Sequence, residues 1–172
     1  MIDATNINNE YTDVYIGKLN LHQNQTFSDI AVKKLNDFAK LPTRGSEYAA
    51  GYDLYAATSY AIEIQPHTTV KIGTGLSFEL PSGTFAAIFP RSGIATKRGL
   101  RPANCVGVCD SDYRGEYIVA LHNDTDEIQI VEPQERIAQM ILLPFIEMMF
   151  NEVDDLSKTE RGLEGFGSTG NK

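Results

Sequence analysis

The clearest pattern in the chain is a set of apolar side chains at even positions, Val70, Ile72, Leu76, Phe78 and Leu80, with Lys71, Ser77 and Glu79 between them. A period of two predicts a half-buried strand, because successive side chains leave a strand on opposite faces. Pro81-Ser82-Gly83 predicts a turn, and Phe85, Ala87 and Phe89 alternate in the strand that follows. Residues 30–35, 127–131 and 137–143 read as further strands, the last two parted at Pro133, and residues 13–21 alternate well enough for one more. Residues 41–46 read as a loop from their Pro, Gly and Ser content. Val106 and Val108 predict a strand that turns at Asp110-Ser111-Asp112 and returns through residues 117–121. The expectation there is a β-hairpin with an acidic, hydroxyl-bearing tip and Tyr113 just past it, either a solvated turn or part of a site. Ser92 is expected to cap a short helix that Gly99 ends. The pattern as a whole predicts an all-β domain with one short helix.

Composition narrows the function classes. A chain of 172 residues suffices for one sizeable core. No apolar run approaches the length of a membrane span, so no membrane partner is expected. The first residues lack the basic start and apolar stretch of a signal peptide, and the expected location is the cytoplasm or another cell interior. Net charge is −8, which argues against nucleic-acid binding. The average conceals an asymmetry. Between Glu79 and Asp110 no acidic residue occurs, while Arg91, Lys97, Arg98 and Arg101 fall in that window. One basic island on an acidic protein suits a small polyanion. The two cysteines, Cys105 and Cys109, would lie about 13 Å apart on one strand, too far for a disulfide between them.

Candidate chemistry sits at four further places. Asp53 is a single carboxylate within an otherwise uncharged stretch, which implies either a structural hydrogen bond or a role at a site. Arg91-Ser92-Gly93 offers a guanidinium fork beside the start of the expected helix, an anion cradle without a P-loop. Arg136 and Gln139 border the strand at 137–143, with a salt bridge within the sheet as the alternative to a substrate role for Arg136. The stretch 161–170 sets Arg161, Phe166, Ser168 and Thr169 among four glycines, the composition of a disordered tail or of a lid that orders over a ligand.

Taken together, residues 50–54, 90–95, 107–115, 135–139 and 161–170 resemble the five ordered motifs of the homotrimeric dUTPases. The resemblance implies a jelly-roll-like β barrel over residues 29–160, preceded by a partly flexible extension at 1–28 and followed by a mobile arm at 161–172. It implies a homotrimer whose three active sites are each built from all three chains. By resemblance, Asp110 is the base that activates water, and Tyr113 packs under deoxyribose. Asn104, Gly107, Val108, Cys109 and Ile118 read uracil. Arg91, Ser92, Gly93 and Gln139 contact phosphates. Arg161, Phe166, Gly167, Ser168 and Thr169 form the arm that folds over a neighbour's nucleotide. Asp53 and Arg136 support the site. The implied cofactor is Mg²⁺, held by the triphosphate and its waters, with Asp53 touching it through water at most.

The implied reaction is hydrolysis of dUTP to dUMP and pyrophosphate, which limits uracil in DNA and supplies dUMP for thymidylate synthesis. A carboxylate is a weak base, so most of the rate must come from positioning and charge neutralisation. The departures from the family pattern are Cys109 where isoleucine is usual, Glu164 where the arm has a neutral residue, and Gln134 in place of a turn glycine. The alternatives are a dCTP deaminase of the same fold and a nucleotide-sensing regulator that binds a partner through residues 1–28.

Overall fold

The computed structural model describes residues 19–22, 25–104, 106–163 and 165. Residues 13–18 of the strand expected at 13–21, the cysteine at 105, Glu164 and the tail from Phe166 onward lie outside them. Among the described residues the order is β1 (Leu19–His22), β2 (Gln25–Ser28), β3 (Ala31–Lys34), β4 (Thr43–Arg44), β5 (Tyr52–Tyr55), β6 (Ile62–Ile64), β7 (Thr69–Gly73), β8 (Leu76–Glu79) and β9 (Thr84–Phe89). Then come α1 (Ser92–Arg98), β10 (Leu100–Pro102), β11 (Gly107–Asp110), β12 (Ile118–Asn123), β13 (Gln129–Val131) and β14 (Arg136–Pro144). β1 overlaps the end of the strand expected at 13–21, its partner β2, with Leu19 paired to Ser28, falls where a lead-in was expected, and β4 falls in the expected loop.

A five-stranded sheet in the order β11-β9-β14-β5-β4 and a three-stranded sheet in the order β10-β12-β7 carry most of the fold. The β13–β6 and β3–β8 pairs complete it. The core takes Leu54, Ile72, Leu76, Phe78, Leu121, Ile137 and their neighbours, all buried.

The even-position pattern is explained by a strand that changes sheets. Ile72, Leu76, Phe78 and Leu80 are all buried, but the run divides at Thr74-Gly75. Before that point β7 pairs with β12, and after it β8 pairs with β3. Gly75 takes φ +65°, in the left-handed region that suits glycine. Its N–H donates to a Glu116 carboxylate oxygen at 2.7 Å, and the Thr74 hydroxyl donates to the Tyr117 carbonyl at 2.7 Å. Those bonds satisfy the groups that the ladder drops at the corner.

Three sequence expectations need correction. In β9 Thr84, Ala86 and Ile88 are all buried, while on the alternate face that the sequence singled out Ala87 is buried and Phe85 and Phe89 are half-buried. Small side chains fit the packed interior, and Phe85 covers the outer face with Phe145, ring centroids 6.5 Å apart. Ser92 does not cap the helix. Arg91, in extended backbone, is the N-cap and makes no side-chain capping bond. Its carbonyl already accepts from Ala95 N–H, so the helix begins one residue earlier than expected. Gly99 does end it, at φ 61°. The third correction concerns the expected hairpin, and it creates the site.

Candidate functional site

The chain does reverse between β11 and β12, but the two strands are not ladder partners. β11 pairs with β9 in one sheet, and β12 pairs with β10 and β7 in the other. The approach to this region is regular, with Pro102 opposite Leu121 and Ala103 N–H donating to the Ala120 carbonyl at 2.7 Å. Beyond Ala103 the strands part. A cleft of about 270 Å³ opens between them, walled by Asn104, Gly107, Val108, Cys109 and Asp110 on one side. Ile118, Val119 and Ala120 form the other wall, with Tyr113, Glu116 and Tyr117 at the turn. β11 is an edge strand, and its second edge faces this cleft. A strand edge presents a row of backbone donors and acceptors. The cleft therefore offers main-chain hydrogen bonds from two sides, on the scale of one heterocyclic base.

Local sequence shapes this opening. A Cβ on Gly107 would come within 3.1 Å of the Asn104 amide nitrogen, so the glycine lets that amide lie over the strand. Asp110 ends β11, exposed, and its carbonyl accepts from Tyr113 N–H at 3.2 Å to close the turn. Cys109 and Tyr117 meet beneath the cleft. Burial pushes the Cys109 thiol above its ordinary value, and burial likewise raises Tyr117. The Tyr117 hydroxyl is buried, and its polar neighbour is the Cys109 thiol. Glu116 and Tyr117 both help wall the cleft, and sequence reading passed over them, since a glutamate and a tyrosine at a strand start carry no local signal.

A second polar group forms on β5, β14 and the start of α1. Asp53 is 6% exposed. One of its oxygens accepts from Arg91 Nε at 2.6 Å, the other from Arg136 Nη1 at 3.2 Å. Gln139 lies opposite Asp53 in the β14–β5 register, and its amide donates to the Pro90 carbonyl at 2.9 Å. A Cβ on Gly51 would stand 2.3 Å from the Gln139 amide oxygen, so a side chain there would push that amide off the Pro90 carbonyl. Ser92 and Gly93 are exposed beside this cluster. A Cβ on Gly93 would meet nothing within 4 Å, so the chain's own packing does not require that glycine.

The structure thus brings the expected residues together in two groups. Asn104, Gly107, Val108, Cys109, Asp110, Tyr113 and Ile118 surround the cleft, while Asp53, Arg91, Arg136 and Gln139 form the cationic cluster, which does not line it. Arg161 is exposed in a turn closed by Gly162 N–H donating to the Thr159 carbonyl, and it does not line the cleft. Phe166, Gly167, Ser168 and Thr169 lie outside the described residues.

Fold and site define a jelly-roll-like β protein with a base-sized cleft beside the free edge of β11 and a separate arginine cluster around Asp53. The dUTPase family model matches residues 37–170. A deoxyuridine 5′-triphosphate nucleotidohydrolase of Desulfitobacterium hafniense is 48% identical over 142 residues, covering 82% of this chain and 94% of its own length. The enzyme of that name from Yarrowia lipolytica is 47% identical over 143 residues, 82% of this chain and 88% of its own. The dUTPase of Staphylococcus bacteriophage 80alpha, solved with dUPNHPP, has a TM-score of 0.73 at 26% identity, over 84% of this chain and 99% of that one. The chain belongs to the dUTPase family.

Proposed function

We propose that this chain hydrolyses dUTP to dUMP and pyrophosphate by in-line attack of water on the α-phosphorus, limiting uracil in DNA and supplying dUMP for thymidylate synthesis. The observation that carries the reading is the cleft between the free edge of β11 and the 118–119 stretch of β12 that β10 does not reach. The main chain at Gly107, Val108 and Cys109, with Ile118 opposite and Asn104 alongside, presents donors and acceptors to the edge of uracil. Cytosine reverses part of that pattern and leaves buried groups unpaired, which discriminates by up to about 10⁴ in favourable cases. Tyr113 packs under the deoxyribose. Asp110, at the end of β11, takes a proton from the attacking water. Arg91, Ser92, Gly93 and Gln139 bind phosphate oxygens, with Asp53 holding both Arg91 and Arg136 in place. Arg161 and the residues from Phe166 to Thr169 close over the triphosphate.

The cationic group does not line the cleft of its own chain, which supports a homotrimer in which one subunit reads the base and another binds the phosphates. The outer face of the five-stranded sheet supports it too. Phe85, Phe89, Ile141 and Leu143 are only half-buried there, and Val108 is 63% exposed.

Among the described residues, no group of three or more His, Cys, Asp or Glu converges as a metal cage. Both Asp53 oxygens already accept from arginines. Such a donor set suits an ion that arrives on the substrate as Mg–dUTP. When bound, Mg²⁺ neutralises triphosphate charge.

The test is release of pyrophosphate from dUTP, dCTP, dTTP and UTP, each with Mg²⁺ and with chelator, alongside ammonia release from dCTP. Release from dUTP alone, lost with chelator, is the expected result. Ammonia from dCTP would replace this reading with a deaminase. Asp110→Asn is expected to bind dUTP and lose turnover, and normal turnover in that variant refutes the role of Asp110.

A further inference from the structure

Tyr113 stands at the mouth of the cleft with 45% of its surface exposed. A side chain that open ordinarily samples several rotamers. Here it is fixed from three directions. Its hydroxyl donates to the Glu116 carbonyl at 3.1 Å. A Cβ on Gly115 would lie 2.3 Å from that hydroxyl and 2.5 Å from the ring carbon bearing it, so the ring rests against bare backbone. On the third side it meets the ring of Tyr117, with centroids 6.1 Å apart and planes inclined by 33°. Tyr117 is 2% exposed and packs in turn on core residue Phe78, with centroids 4.5 Å apart. Three rings therefore run from the core to the mouth of the cleft.

We propose that Tyr117 is a positioning residue for sugar selection, holding the Tyr113 ring where a 2′-hydroxyl would collide with it. The inference rests on the reading of Tyr113 as the deoxyribose platform. An apolar surface rejects one added hydroxyl poorly when it can yield. A half-exposed ring yields unless something behind it does not, and Tyr117 supplies that backing because Phe78 anchors it in the core. The Tyr117 hydroxyl faces the Cys109 thiol, and the Tyr113 hydroxyl bonds the Glu116 carbonyl instead of Tyr117, so the flat ring and not the phenol does the positioning. Phenylalanine at 117 therefore preserves the effect, and an aliphatic side chain removes it.

The experiment is steady-state kinetics on the full chain with dUTP, UTP and dCTP. Tyr117→Leu is expected to lower the dUTP-to-UTP ratio of kcat/KM by about tenfold, the lower end for one small group in an apolar pocket. The dUTP-to-dCTP ratio should stay within about twofold, because the base edge is read by other groups. Tyr117→Phe is expected to keep both ratios. If the leucine variant does not accumulate folded, Tyr117→Met refills most of the volume without a flat ring and carries the same expectation. An unchanged sugar ratio in the aliphatic variants, with a reduced one in Tyr113→Ala, overturns the inference and leaves the platform standing. An unchanged ratio in Tyr113→Ala overturns the platform itself. A parallel fall in both ratios overturns the inference as well, since it marks general loosening of the cleft.

Discussion

Replacing Asp53 with asparagine should unfold the protein measurably and dismantle its cationic cluster in the same step. Asp53 has 9% of its side chain exposed and receives Arg91, 23% exposed, and Arg136, 49% exposed. Removing one partner of a fully buried pair costs about 3–5 kcal/mol, because the other charge is left uncompensated. Arg136 escapes that penalty by turning into water, where an exposed pair is worth about 0–1 kcal/mol. Arg91 is mostly buried and cannot turn out so freely, which sets the expected loss at about 2–3 kcal/mol. At about 2–4 °C per kcal/mol for a chain of this size, Tm should fall by roughly 4–12 °C. The measurement is urea unfolding followed by circular dichroism at one fixed protein concentration, since association would contribute to apparent stability. Arg136→Ala provides the contrast, with an expected cost below about 1 kcal/mol. The reasoning is refuted if Asp53→Asn lies within about 0.5 kcal/mol of the parent, the ordinary range for a surface change. It is refuted equally if Arg136→Ala costs as much as Asp53→Asn.

Three further outcomes follow from single features. Tyr117→Phe removes a buried hydroxyl whose polar neighbour is the weakly bonding Cys109 thiol and should shift stability by less than about 1 kcal/mol in the same urea assay; a larger loss would mean that the hydroxyl is firmly bonded. Gln134 has φ 58°, in the left-handed region, so Gln134→Gly should gain about 0.5–1 kcal/mol after the added freedom of the unfolded glycine is counted. A melt at or below the parent temperature would refute that. In a Cys105→Ser background, burial of Cys109 lowers its thiolate fraction, so iodoacetamide should label it more slowly than free cysteine at pH 7.5. Labelling should accelerate above pH 9.0, the ordinary thiol value, and slow when dUMP fills the cleft. Rapid labelling at neutral pH would contradict the burial.

What the sequence disclosed follows from how far each signal reaches along the chain. The strand pattern at positions 70–80 and the Gly99 helix stop are local, and both appear in the structure. The partners of Asp53 lie 38 and 83 residues away, so its burial was legible only as an uncharged setting that demanded a reason. The same distance problem hid the sheet switch at Gly75, whose stabilising carboxylate belongs to Glu116. The false hairpin has a different cause. A turn flanked by two apolar strands is the usual hairpin signal, and nothing in the turn says that each strand finds its ladder elsewhere. That information belongs to β9, β10 and β7.

The two open strand edges have a consequence for how this protein can change over generations. A recognition surface made of main chain is nearly independent of the side chains strung along it. Substitutions at Val108, Cys109 or Ile118 leave the donor and acceptor pattern where it was, provided that the strands keep their spacing. Cys109 illustrates the point, since its thiol meets Tyr117 beneath the cleft. Under the proposed function, selectivity for the base withstands drift in the very residues that wall the cleft. The positions under tighter constraint are those that set the spacing, Gly107 and the Thr74-Gly75 corner among them.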